Sequence, residues 1–215
     1  WLPTESADGH FAVDFGASPI PETGGEASFS QAEMERFYGA HLNHGVEKIE
    51  RLDGNIMLLD LRVFPPPAMA GDVIAASMTL VAQGDALIID LRRNGGGMES
   101  TNLLMSYLLP PGTEISGSFD RPSGKRTYTT TAAWVPGRRF GTDKPVYVLT
   151  SKRTFSAAEA VAYDLQAGKR GIIVGEVTDE GVDIVGIGST RSTGLRKGVV
   201  INIESSIAAI RKAVK

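Results

Sequence analysis

Ser156 is the residue whose neighbours best equip it for chemistry. It lies in residues 151–159 (SKRTFSAAE). Before it comes PVYVLT (145–150), apolar and β-branched enough for a buried strand. After it, Ala157, Val161 and Leu165 recur at helical spacing. A serine at such a junction has its own amide and the next one pointing outward at the positive end of the helix dipole. Acyl transfer uses this pairing of an attacking hydroxyl with unpaired N–H groups that hold a developing oxyanion. Serines at helix starts also act as plain caps, so the position alone leaves both roles open.

A glycine turn supplies the second half of such a site. The apolar run ALIIDL (86–91) leads into RRNGGG (92–97), and a helix-like segment over 99–109 follows, with Leu103, Leu104, Tyr107 and Leu108 on one side. Consecutive glycines permit positive φ and close approach of the backbone to a ligand. Their amides can serve an oxyanion hole. A phosphate cradle competes, but no Gly-Lys-Ser/Thr follows and the GxGxxG spacing is missing.

These two strand–turn–helix units, with a third strand over 171–175 (GIIVG), spell β-α-β-α-β and predict a parallel α/β sheet. Ligands in such sheets bind beyond the carboxyl ends of the strands. Ser156 and the glycine turn both fall there.

ALIIDLRRNGGG, PVYVLTSKRTFSAAEAVAYDLQ and KRGIIVGEVT together resemble the core of the tail-specific (C-terminal-processing) serine peptidase superfamily. The likeness also takes in 45–64 (GVEKIERLDGNIMLLDLRVF), covers roughly residues 8 to 178, and is greatest to bacterial interphotoreceptor retinoid-binding protein-like and tricorn-like members. It implies a ClpP/crotonase-like spiral core and serine-type hydrolysis of peptides or unfolded protein. It also implies Ser156 as nucleophile, with Gly96, Gly97 and Ala157 forming the oxyanion hole. No PDZ domain fits in the chain, and the retinoid-binding relatives lack one too.

The general base divides the superfamily. The tail-specific branch uses a lysine after the third core strand, where this chain has Gly181 in Thr178-Asp-Glu-Gly181. The tricorn-like branch uses a histidine, and Asp8-Gly9-His10 resembles that segment. The resemblance thus implies His10, whose imidazole suits proton transfer near neutral pH. Lys152, four residues before Ser156, is the fallback and would need burial. His41 and His44 close a segment over 31–43 that opens with a Ser30–Glu33 capping-box pattern, and they read as structural or solvent-facing. His41-x-x-His44 has no third ligand nearby and the chain has no cysteine, so no metal or cofactor is expected.

Bland readings suit several other residues. Asp90 anchors backbone amides or pairs with an arginine, while Glu159 favours the dipole of the helix after Ser156. Trp134 and Phe140 cover the core edge or line a cleft. A net charge of −3 and pI near 5.7 speak against nucleic acid as a partner. With 215 residues, 42% hydrophobic and 22% charged, the chain fits one large domain or one domain plus a small appendage, and the resemblance implies a single peptidase-like core. It comprises an N-terminal strand, loop and helix appendage (1–45), a core (46–178) and a divergent C-terminal strand and helix (179–215). No apolar run reaches the ~18 residues of a membrane span, and 73–82 reads as a packed helix. The absence of an initial Met points to a processed or truncated piece, and a periplasmic or secreted location is expected. Residues 64–67 (FPPP) predict a stiff extended connector, and 112–131 a β-hairpin about Arg121-Pro-Ser-Gly124.

Past residue 178 the family's Gly-Gly-Gly-Ala and Asn-Trp-Glu-Gly segments are missing, leaving Glu204 as the candidate acid behind His10. A second function therefore stands beside the peptidase. It is a non-catalytic module for retinoid-like or fatty-acid ligands, with Ser156 surviving as a cap.

Overall fold

The computed structural model describes residues 29–121 and 123–178. The chain divides into two compact units, residues 1–37 and 38–215. In the first, the described residues form most of helix α1 (Gln31–Tyr38). Ser30 and Glu33 close the capping box expected of them: the Ser30 N–H donates to Glu33 Oε2 at 2.8 Å and the Glu33 N–H to Ser30 Oγ at 3.3 Å.

The second unit is built on a five-stranded sheet. Its strands are β1 (Val46–Leu52), β2 (Ile56–Leu61), β3 (Ala86–Asp90), β6 (Val146–Thr150) and β7 (Ile172–Gly175), side by side in that order. β1 joins β2 through a tight antiparallel turn, and the remaining pairings are parallel. Parallel neighbours require crossovers. Helices α2 (Pro67–Val81), α3 (Ser100–Leu108) and α4 (Ala157–Ala167) lie in those three connections. The hairpin of β4 (Glu114–Asp120) and β5 (Lys125–Thr130) is a separate two-stranded sheet between α3 and β6, as the alternating threonines predict.

Period-two alternation divides the sheet into unlike faces. Leu87, Ile89 and Val148 join Ile74 and Met78 of α2, Leu104 and Leu108 of α3, and Val161 and Leu165 of α4 in the larger apolar cluster. Ile56, Ala86, Ile88, Tyr147 and Leu149 form a smaller one, to which no helix contributes among the described residues. β3 and β6 are buried at every position, which is why their sequences run apolar without alternating.

α2 differs from expectation in starting at Pro67, six residues before the apolar run, so only Phe64 to Pro66 form the extended connector. Proline lacks just the N–H that a first-turn residue leaves unpaired, and its fixed φ already suits a helix. Phe140 is buried and Trp134 is 75% exposed, so only the former helps close the core.

Arg170, between α4 and β7, ties three segments together. Its guanidinium donates to the carbonyls of Leu108 (2.8 Å), Lys144 (2.9 Å) and Gly141 (2.6 Å). Replacing it leaves three partly buried acceptors short of a donor, at about 1 kcal/mol or more each. Arg170→Met should lower unfolding stability by roughly 2–4 kcal/mol in urea titrations. A loss under about 0.5 kcal/mol, the range of ordinary surface changes, would show that water replaces the guanidinium without cost.

Candidate active site

β6 ends at Thr150 and α4 begins at Ala157, leaving six residues to turn the chain back over the sheet. Ser156 is the N-cap of α4, with φ +53° and ψ −120°. A non-glycine residue in such a conformation costs on the order of 1–3 kcal/mol and persists only where its surroundings over-determine it. The Ser156 N–H donates to Glu159 Oε2 at 2.7 Å, and the Glu159 N–H closes on the Ser156 carbonyl at 2.9 Å. Upstream, Thr154 is fully buried, and its hydroxyl donates to the Leu91 carbonyl at 2.8 Å while accepting the Ser151 N–H at 3.0 Å. The Phe155 N–H donates to the Asn94 carbonyl at 3.1 Å.

The Thr154–Leu91 and Phe155–Asn94 bonds join this loop to the glycine turn, and the contact continues at Ser156 itself. A Cβ at Gly96 would stand 2.7 Å from Ser156 Cβ, 2.8 Å from the Phe155 carbonyl and 3.0 Å from the Ala157 nitrogen. Gly96 has φ +97° and Gly97 φ +135°. On its other side the turn meets the connector after β2. The Phe64 N–H donates to the Gly96 carbonyl at 2.8 Å, the Met98 N–H donates to the Phe64 carbonyl at 2.5 Å, and a Cβ at Gly97 would lie 2.1 Å from that Phe64 oxygen. The two turns that the sequence sets at strand ends therefore meet, and neither Gly96 nor Gly97 has room for a side chain.

Asn94, wholly buried, organises the turn. Its amide donates to the Leu61 carbonyl at 3.2 Å, its side-chain oxygen accepts the Gly96 N–H at 2.8 Å, and its backbone carbonyl takes the Phe155 N–H. The N–H of Gly96, one of the expected oxyanion donors, is engaged by Asn94. The amides of Gly97 and Ala157 have no protein acceptor among the described residues. Sequence reasoning passed over Asn94 and Thr154. The only signal for Asn94 was a side-chain amide directly before the glycines, which turn chemistry also explains.

His10, Gly181 and Glu204, with the expected strand at 11–15 and the C-terminal strand and helix, lie outside the described residues. The Lys152 side chain is exposed and so lacks the burial a lysine base requires. His44 Nδ1 donates to the Tyr38 carbonyl at 2.9 Å, and His41 faces solvent. Among the described residues no group of three or more acidic or histidine side chains can hold a metal ion, and no helix is long and apolar enough to cross a membrane.

Two carboxyls of this unit have raised pKa values. Burial pushes Asp164, on α4, up to about 7. Burial, and then the neighbouring Asp90 charge, push Asp60 up to about 6.

The geometry is thus a strained serine between strand and helix, closed against a glycine turn at the neighbouring strand end of an α/β sheet. Residues 56–202 match the profile of Peptidase family S41, and the chain belongs to that family. It is 32% identical over 108 residues to the carboxyl-terminal-processing protease of Synechocystis, covering 50% of this chain and 24% of that protein. A stretch of 55 residues is 47% identical to the cell division protein FtsA of Pseudomonas aeruginosa, covering 25% of this chain and 13% of that one. The chain thus spans a quarter or less of the length of these curated relatives. An S41-assigned protease structure from Bacteroides fragilis shares the fold with TM-score 0.51 and 21% identity, over 63% of this chain and 39% of that one.

Two experiments follow from this geometry. Gly96→Ala should lower both stability and any Ser156 reactivity, whereas Gly95→Ala, with open space around it, should change neither by more than twofold. Equal tolerance of both would mean that the contact with Ser156 is loose. Asp164 binds its proton more tightly folded (about 7) than unfolded (about 3.9), so its stabilising contribution is full below about pH 4 and lost as pH rises through 7. Asp164→Asn cannot ionise and should gain stability relative to wild type with rising pH, by on the order of 1–3 kcal/mol at pH 8. A difference that stays constant from pH 4 to 8 would contradict the raised pKa.

Proposed function

We propose that this chain is a serine-type peptidase unit that cleaves peptides or unfolded protein through an acyl-enzyme at Ser156. The observation that carries this reading is the positive φ of Ser156, held against Gly96 at the carboxyl edge of the parallel strands. A plain cap needs no strained backbone, because N-caps ordinarily occupy the β region. Strain of this kind gathers where a nucleophile must be presented, as on the strand-to-helix elbows of other hydrolases.

In this reading Ser156 Oγ attacks the scissile carbonyl carbon while its proton passes to a base. The carbonyl oxygen becomes an oxyanion facing the N–H groups of Gly97 and Ala157, the two expected donors without a protein acceptor among the described residues. The intermediate collapses by breaking the C–N bond, and the leaving amine takes the proton from the base. Water then hydrolyses the ester by the same steps. Gly96 contributes the absence of a side chain rather than its amide. His10 is the base by resemblance to the tricorn-like branch, and exposed Lys152 is the weaker alternative. The similarity to FtsA concerns about a quarter of this chain and carries no activity over to it.

A fluorophosphonate probe should label wild type at Ser156, and Ser156→Ala should abolish both labelling and peptide hydrolysis, since loss of a nucleophile costs several orders of magnitude in rate. His10→Ala should remove most of the activity and Lys152→Ala little. The reverse order would transfer the proton-accepting role to Lys152. A folded wild type that neither labels nor hydrolyses, yet binds retinol or oleate, would favour the ligand-binding module.

A further inference from the structure

Six charged side chains stand beside the carboxyl ends of β2 and β3 and take no part in the chemistry above. Asp60 and Asp90 are register partners on adjacent parallel strands, both buried, and alternation places them on the sheet face of Leu58 and Ile88. Two neighbouring carboxylates repel one another, so the pair is held only with compensation. Arg62 NH2 lies 2.9 Å from Asp60 Oδ2 and Arg93 NH2 lies 3.7 Å from it, while Glu47 approaches Arg62 at 3.5 Å. Arg92 pairs with Asp90 through its Nε at 2.8 Å and through a second, short contact from its terminal nitrogen to Asp90 Oδ2.

Asp90 also grips the backbone of Arg92. Its Oδ1 accepts the Arg92 N–H at 3.1 Å, so one carboxylate fixes both main chain and guanidinium of the same residue. The Arg92 carbonyl in turn accepts the Ser151 hydroxyl at 2.6 Å, and Ser151 Oγ accepts the Arg153 N–H at 3.0 Å. A continuous chain of bonds therefore runs from the ion pair into the loop that carries Ser156. With the Thr154–Leu91 and Phe155–Asn94 bonds it makes three links between residues 91–94 and 151–155.

We infer that Asp90, through its ion pair with Arg92 and the Arg92–Ser151 bond, is a positioning residue for the Ser156 turn, with Asp60, Arg62 and Arg93 balancing its charge. The catalytic consequence rests on the peptidase reading, whereas the positional link does not. Bidentate guanidinium–carboxylate pairs combine strength with fixed geometry, and small displacements of a nucleophile cost large factors in rate.

The test compares Asp90→Asn and Ser151→Ala with Asp72→Asn, a change at an exposed site on α2. Amide hydrogen exchange at Thr154 and Phe155 should quicken at least tenfold in the first two variants and stay unchanged in the third, with α2 amides unaffected throughout. Where hydrolysis is measurable, kcat should fall about tenfold in Asp90→Asn with KM within twofold. Exchange at Thr154 and Phe155 within twofold of wild type in Ser151→Ala would overturn the inference. So would acceleration spread evenly over α2, the mark of general destabilisation. Should Asp90→Asn fail to fold, Ser151→Ala decides alone. A wild type that resists the fluorophosphonate removes the peptidase reading, while the exchange data still decide the positioning.

Discussion

The approach of Gly96 to Ser156 is the constraint on which the rest of the site depends. Two backbone turns from different strand ends come so close that a single methyl group does not fit between them. Everything that fixes either turn therefore fixes the other. Asn94 holds the glycine turn from inside, Phe64 clamps it from the β2 side, and Thr154 with Phe155 ties it to the serine loop. A conformation costing on the order of 1–3 kcal/mol at Ser156 becomes tolerable because none of these links can relax independently.

The sheet makes that proximity possible. Parallel strands send their carboxyl ends to one edge, and β3 and β6 are hydrogen-bonded neighbours. Turns at their ends must then be adjacent, whatever their sequences. The helices that follow each turn, α3 and α4, bury their apolar stripes against the same sheet face, so their starts are fixed as well. Packing energy far from Ser156 is thus converted into local precision at the edge.

Much of this was legible in the chain. The β3 and β6 strands declare themselves as unbroken apolar runs, and the helices by residues at 3.6 spacing. The hairpin of β4 and β5 shows as alternation about a Pro-Ser-Gly turn, and the glycine run announces a close backbone approach. Local pattern does not reveal partners distant in sequence. The Asn94 side chain reads as a turn residue until Leu61 is seen beside it. Nothing near Arg170 in the sequence signals the carbonyls of Leu108, Gly141 and Lys144 that it reaches in the fold. The Pro67 start of α2 was hidden for a different reason. A proline run reads as extended, although the last proline of such a run is also a good first residue of a helix.

Gly96 shows why a motif and a mechanism are separate statements. The glycine run resembles an oxyanion turn, and the natural assumption is that its amides all point at the substrate. In the folded chain the Gly96 N–H turns inward to Asn94, so that glycine serves by having no side chain and by positive φ. Gly97 combines both properties, since a Cβ there would strike Phe64 while its N–H remains without a protein acceptor among the described residues. Three adjacent glycines thus meet three different demands. Gly95 stands in open space, Gly96 yields room to Ser156, and Gly97 yields room to the connector. The inward bond at Gly96 also fixes the peptide plane immediately before that of the Gly97 amide. Asn94 thereby restrains the backbone next to the candidate oxyanion donor.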